Sequence, residues 1–153
     1  MSWLTCTGGG RRHWGRDGAA GLLVAVHEAD RTYVLLDERA QWVHHGGTFG
    51  VPGGAIHPDE TPLAAALREA EEEDHGVDPR QLAVVHTHVQ PCADCERWSY
   101  TTFLATLPAR AAVMTASFES DAVHWVDAEE VAALPLHPGF AAAWPALRAA
   151  LAS

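Results

Sequence analysis

One segment constrains this chain more than any other: "TPLAAALREAEEEDHG", residues 61–76. Thr61 is a good helix N-cap, Pro62 suits the first helical position, and the residues that follow are strong helix formers. Gly76 is expected to end the helix, with Pro79 just beyond. Successive helical residues turn by about 100°. Leu63, Ala66, Leu67 and Ala70 therefore share an apolar stripe that needs a sheet to bury it. Glu69, Glu72 and Glu73 fall at i, i+3 and i+4 on the neighbouring stripe, while Glu71 points away, towards water or Arg68. A fold for this chain must cover one side of the helix and leave the acidic side open.

That acidic side is costly. Like charges one turn apart repel by a few tenths of a kcal/mol or so per pair, and no base is interspersed on the stripe. Residues 53–77 hold seven acidic side chains, four of them in a row at 71–74. Convergent carboxylates suit a hard dication: magnesium takes oxygen ligands octahedrally, keeps several waters and is shared with substrate phosphates. Gly53 and Gly54, just before the helix, let the backbone bend and approach a ligand closely. Two readings stay open on the residues alone, a phosphate–metal site and a charged, solvent-facing helix.

Elsewhere, "GAAGLLVAVHE" and "RTYVLLDER" read as a strand pair about the turn "EAD". "QWVHHGGTFGVPGGAI" reads as a loop with short extended pieces. "QLAVVHTHVQ" and "RWSYTTFLATL" are two more strands, joined by "PCADCE". In the second, Trp98, Tyr100 and Thr102 share one face, and Ser99, Thr101 and Phe103 the other. "DAVHWV" is a late strand, "DAEEVAAL" a short helix and "GFAAAWPALRAALA" a longer one that Pro145 kinks or starts. Interleaved strands and helices with a hairpin argue for an α+β chain in which helices cover a mixed sheet.

The length of 153 residues suits one domain spanning 1–153. No apolar run is long enough to cross a bilayer, and the N-terminal residues lack signal-peptide organisation, so a cytoplasmic location with no membrane partner is expected. The net charge of −10 sets twenty acids against ten bases, all arginine. Lysine and asparagine are absent and Ile56 is the only isoleucine, as GC-rich bacterial coding would give. Without a broad basic surface the chain is not expected to bind polymeric nucleic acid. A small phosphorylated ligand remains open to it, because a bound dication inverts the local field. A homodimer is among the assemblies the sequence leaves open.

Three cysteines do not make a disulfide framework. Cys92 and Cys95 form a C-x-x-C near His86 and His88, four groups that could bind zinc tetrahedrally. Without the longer separation usual between ligand pairs, the expectation is a hairpin loop with reduced thiols. No G-x-S-x-G, Walker loop or H-E-x-x-H is present.

The stretch containing Gly54, Glu60, Arg68, Glu69, Ala70, Glu72 and Glu73 resembles, in order and spacing, the signature box of the Nudix (MutT-like) hydrolases. "FGVPGGAI" before it and "VHWVDAEEVAALPLHPGF" after it are similar to the family's flanking segments. The resemblance implies a Nudix fold, an α/β/α sandwich with a mixed β-sheet. It implies hydrolysis of a nucleoside diphosphate linked to another group, with Mg2+ (or Mn2+) as cofactor and release of a nucleoside monophosphate. Carried over by position, Glu69, Glu72 and Glu73 are metal ligands, joined by the backbone at Gly54. Arg68 holds Glu60 or a neighbouring carboxylate, and Glu73 or the Glu119 region takes a proton from water. The sequence departs from the box in having two residues, Asp74 and His75, rather than one before Gly76. The departure puts the placement of the last carboxylate in question, and the helix end or its following turn is expected to be lengthened.

For substrate contacts the candidates are Trp42, Phe49, Trp98 and Tyr100, whose rings can stack on a base or fill the core, and His45 beside His44. The short chain leans towards a nucleoside triphosphate or modified nucleotide such as 8-oxo-dGTP. Pro91, placed as in the ADP-ribose-cleaving subgroup, keeps an ADP-ribose or nucleotide-sugar pyrophosphatase in view. A non-catalytic nucleotide-binding or regulatory module is the alternative of a different class.

Overall fold

In the computed structural model of the protein, the described residues are 3–6, 11–42, 44–75, 77–111, 114–115 and 120–152, with backbone only at 73–75, 96, 114–115 and 120–121. In chain order the elements are β1 (Trp3–Thr5), β2 (Arg12–Trp14), β3 (Ala19–Glu28), β4 (Arg31–Arg39), β5 (Phe49–Gly50) and β6 (Gly53–Ala55). Then come α1 (Pro62–Glu73), β7 (Asp74–His75), β8 (Ala83–Cys92), β9 (Cys95–Thr106), β10 (Met114–Thr115), β11 (Ser120–Asp127) and α2 (Pro138–Leu151).

The main sheet runs β11-β4-β3-β9-β8, with β5 added to β4 and β6 to β3. Only β3 and β9 run parallel in it; its other pairings are antiparallel. The central place of β3 follows from its sequence. Its first eight residues, "AAGLLVAV", are all buried, as a strand covered on both faces must be. Leu22, Val24 and Val26 turn to one side with Leu35, Phe103 and Ala105, against Ala65, Ala66 and Ala70 of α1. Leu23 and Ala25 turn to the other with Val34, Leu36 and Leu104, against Phe140, Ala143, Trp144 and Leu147 of α2. The result is the expected sandwich of two helices about a mixed sheet. Truncating the fully buried Leu22 or Leu23 to alanine removes about 2–5 kcal/mol of stability.

The Thr61 hydroxyl caps α1 by accepting the Ala64 N–H at 3.1 Å. The helix ends at Glu73, before Gly76, and Asp74 and His75 pair antiparallel with Thr115 and Met114. Its last turn carries Glu71, Glu72 and Glu73 with no base, and negative charge at a helix C-terminus opposes the macrodipole. Leaving the helix at Asp74 limits that cost, and the extra residue before the glycine is absorbed after the box helix rather than within it. Gly76 lies outside the described residues.

Other expectations change in detail. "DAEEVAAL" forms one 3-10 turn, Val131–Ala133, rather than a helix. Asp127 sets a turn by accepting the Glu129 and Glu130 N–H groups, and Pro135, without an N–H, stops propagation. The long helix begins at Pro138, capped by the His137 ring, so Pro145 lies inside it and does not start it. The pairs β1–β2 and β7–β10 were not expected; strands of two or three residues give no periodic signal.

The "PCADCE" connection is a tight hairpin: Cys92 pairs with Cys95 across the turn at Ala93 and Asp94, and all three cysteines are free thiols. His86 and His88 do not join the two thiols. They lie six and four residues before Cys92 on β8, about 20 and 13 Å along a strand, and His88 Nε2 is 3.0 Å from Gln90 Oε1. Cys6 and His13 lie beside Cys92 instead. Burial, then the neighbouring Cys95 and Cys92, push the Cys6 thiol up to about 12.

Candidate active site

The site begins with β6, laid on β3 so that Gly54 pairs with Ala20. A Cβ added at Gly54 would lie 2.5 Å from Oε1 and 2.8 Å from Cδ of Glu69. Glycine lets the carboxylate rest against the backbone there; any side chain would push it away. Gly53 is crowded in the same way by the Tyr100 hydroxyl and the Ala20 carbonyl.

Arg68 organises the acids. Its Nε donates to Glu60 Oε2 at 2.7 Å and its Nη2 to Glu60 Oε1 at 2.9 Å, a two-pronged clamp. Its Nη1 donates to Glu69 Oε1 at 3.0 Å and lies 3.7 Å from Glu72 Oε1; Nη2 also reaches the Ala55 carbonyl at 3.2 Å. One guanidinium thus ties the α1 face to β6 and to the turn at Glu60. The Arg68 hydrogen bonds, with a further one from the His57 N–H, hold the Glu60 carboxyl down at about 2. Glu69 is shifted the other way: burial raises its pKa, and the Arg68 hydrogen bond only partly opposes the rise.

Three carboxylates around one guanidinium leave two negative charges uncompensated when all are ionised. Glu69 is desolvated while Glu72 is exposed to water. Oxygen donors one helical turn apart, a glycine cradle that any side chain would fill and a surplus of negative charge fit a hard dication. Of Glu73 only the backbone is described, on the same turn, and Glu119 lies outside the described residues.

The remaining candidates fall into separate groups. His45 adopts a left-handed conformation (φ +57°), and its ring lies 3.9 Å from that of His44 and 4.9 Å from that of His137. Phe49 is 5.8 Å from the His124 ring, and His124 Nε2 is 3.2 Å from Glu38 Oε1. This group borders the segment that leads through Val51 and Pro52 into Gly53. Its members Glu38 and His137 were missed, because the register of β4 with β11 and the loop packing have no local sequence signal. The Tyr100 hydroxyl reaches Gly21 of β3 and Gly53 of β6. Trp98 stacks on His13 at 3.7 Å and donates its indole N–H to the Gly15 carbonyl. Trp42 is largely exposed and has no ring contact among the described residues. A solvent-open hollow of about 290 Å³ lies elsewhere, over the Arg31–Asp127 ion pair and the end of α2, and includes none of the acids on α1.

The NUDIX domain profile matches residues 16–148 of the chain. A Mycobacterium tuberculosis protein named "Putative 8-oxo-dGTP diphosphatase 3" is 46% identical over 155 residues, spanning 94% of this chain and 67% of that protein. A nucleoside triphosphate pyrophosphatase/Nudix hydrolase fusion protein of Bifidobacterium longum is 35% identical over 97% of this chain, which spans 31% of the fusion. The crystal structure of RenU, a Nudix hydrolase from M. smegmatis, matches with a TM-score of 0.89 at 40% identity, covering 99% of this chain and 94% of that one. A C. elegans Ap4A hydrolase, at 23% identity, TM-score 0.71 and coverage of 88% and 98%, shares the fold. No helix among the described residues is long and apolar enough to cross a membrane.

Proposed function

The chain belongs to the Nudix family and is a hydrolase, and from that premise we propose that it is a metal-dependent nucleotide pyrophosphohydrolase. The substrate is a nucleoside triphosphate or a modified one of the 8-oxo-dGTP kind. Water adds to one phosphorus of the anhydride, the bridging P–O bond breaks, and a nucleoside monophosphate and pyrophosphate leave. The observation that carries this reading is the Arg68 clamp, which holds Glu60 and Glu69 against the Gly54 backbone and leaves surplus negative charge on the open face of α1. The similarity to the mycobacterial and bifidobacterial relatives supports the substrate class.

Glu69, Glu72 and Glu73, with the backbone at Gly54, would hold Mg2+ or Mn2+. Bound there, the ion would supply charge neutralisation at the phosphate oxygens and a more acidic water. Arg68 fixes the Glu69 carboxylate and, through Ala55, the distance between α1 and β6. Glu60 keeps Arg68 aimed. Glu73 or the Glu119 region accepts the proton of the attacking water. His45 and Phe49 line the approach to the glycines; Tyr100 packs behind them. Trp98, with a face and its N–H already engaged, serves better as support, and Trp42 is free to meet a base. Positioning and electrostatics are most of what this chemistry asks of a protein.

The uninterrupted helix through Glu73 favours this reading over a non-catalytic nucleotide-binding module, since the added residue comes after the box helix. The test is a panel of nucleoside triphosphates, 8-oxo-dGTP, ADP-ribose and nucleotide sugars with magnesium, read as monophosphate and pyrophosphate release. Turnover of triphosphates, lost in Glu73→Gln with the fold retained, is the expected result. Binding without products, or equal turnover in the mutant, would defeat the reading.

A further inference from the structure

All three cysteines of the chain come to one place, although Cys6 is 86 residues from Cys92. Cys92 and Cys95 face each other across a two-residue turn at the tip of β8–β9. Cys6 follows β1, and its Sγ lies 4.0 Å from Cys92 Sγ; Cys95, the cross-turn partner of Cys92, is its other thiol neighbour. His13 on β2 puts Nε2 3.2 Å from Cys92 Sγ. The ligand atoms of Cys6, His13 and Cys92 all lie within 4.8 Å of one another. A tetrahedral zinc ion with Zn–S near 2.3 Å and Zn–N near 2.05 Å has ligand–ligand edges of about 3.8 Å (S–S) and about 3.6 Å (S–N). The spacings within this trio bracket those edges, and Cys95, across the turn from Cys92 but outside the trio, would turn in as the fourth ligand.

We propose that Cys6, His13, Cys92 and Cys95 form a closed, structural zinc site that fastens the N-terminal strand pair to the tip of the β8–β9 hairpin. Three thiolates and an imidazole make a donor set that selects zinc over magnesium or manganese. Four protein ligands leave no open position, which marks a structural rather than a catalytic ion. The hairpin directs both of its thiols to one side, and stacking on Trp98 fixes the His13 ring. A disulfide would need the Cys6 and Cys92 sulfurs about 2 Å closer and would strand the third thiol; the tetrahedral site uses all three. The pair β1–β2 is a separate two-stranded sheet. Among the described residues its links to the hairpin include the thiols, the His13–Trp98 stack and the Arg11–Asp94 ion pair at 3.5 Å. From there Trp98 donates to the Gly15 carbonyl, and Gly15 runs close enough to Ala55 to leave no room for a side chain, so the staple supports the strand that receives Arg68.

The test uses the full-length chain, purified without a chelating tag, reduced, and offered zinc with magnesium in excess. Elemental analysis is expected to find one zinc per chain, and a zinc-selective chelator should lower Tm by on the order of 10 °C. Because Cys92→Ser and His13→Ala can fail to fold, a second reading uses reduced parent protein loaded with cobalt(II). A thiolate-to-cobalt charge-transfer band of three-sulfur intensity is expected, unchanged in Glu69→Gln, which separates this site from the acids on α1. Reduced, folded parent protein that takes up less than about a tenth of an equivalent of zinc and gives no such band would overturn the proposal. So would a Cys6–Cys92 disulfide in freshly purified protein. Cobalt d–d bands and zinc affinity that are both unaltered in folded His13→Ala would overturn the histidine's part.

Discussion

The acidic face of α1 and the cysteine cluster at the hairpin tip both gather side chains that metals favour, and they are built by opposite routes. On α1, Glu69 and Glu72 stand one turn apart, and their organiser Arg68 is eight residues from the Glu60 it clamps. The donors are oxygens, ranging from half-buried to exposed. At the hairpin tip the donors are mainly sulfurs, brought together from positions 86 residues apart and largely closed off, with Cys6 and Cys95 buried. Helical spacing makes an open site in which a hard ion can keep water and share a substrate. Strand packing makes a closed one in which a soft ion only holds the chain together. If this contrast is right, damage to the first site costs turnover and damage to the second costs stability.

The largest effect is expected from Glu73→Gln, which should reduce kcat by about 10³-fold or more with an unchanged circular dichroism spectrum. A stability loss matching the activity loss would erase the contrast. Next is Arg68→Ala, which frees Glu60 and Glu69 together and should lower kcat/KM by about 10²-fold through misplacement. It should also raise the magnesium concentration needed for half-maximal activity, and titration of activity with magnesium checks both. Gly54→Ala pushes a methyl group into the Glu69 carboxylate. About a tenfold loss of activity is expected, again with a raised magnesium requirement and little change in Tm. A Gly54→Ala enzyme with parental activity would mean that the close approach has no role.

Much of the open site is legible in the sequence because its parts are local. The cap at Thr61, the two stripes of α1 and the Glu60–Arg68 spacing all lie within one stretch, and helical geometry converts that spacing into positions. The central place of β3 is consistent with "AAGLLVAV", a run apolar enough to be covered on both faces, whereas the order of its neighbours has no local signal. What escapes is long-range. The C-x-x-C suggested His86 and His88 as neighbours, yet the pleat carries them up β8, and only the packing of β1–β2 reveals Cys6 and His13. The sequence leaves open whether the extra residue before Gly76 lengthens α1 or the segment after it; α1 ends at Glu73, and the residue falls in the segment that pairs with Met114 and Thr115, a long-range contact with no local signal.

The smallest effect is expected from pH. Burial lowers the His137 pKa to about 4, with further depression from His45, Arg39 and His44, against an unfolded value near 6.5. The folded chain therefore binds fewer protons than the unfolded chain between those values. The contribution is fully present above pH about 6.5 and is lost as pH falls through about 4. Protonation also ends the ring's capping of α2, where Nδ1 accepts the Gly139 N–H at 3.1 Å. A Tm that declines by a few degrees from pH 7 to pH 5 is expected, with a shallower slope in His137→Asn, which keeps a capping oxygen. Parallel slopes in the two proteins would assign the decline to other groups.

The most direct measurement is a crystal structure with Mn2+ and a non-hydrolysable triphosphate analogue, read by anomalous scattering. An ion bound by Glu69, Glu72 and Glu73, touching the phosphates beside Gly54, is the predicted result. Those carboxylates turned apart, with nucleotide present and no ion among them, would contradict the account.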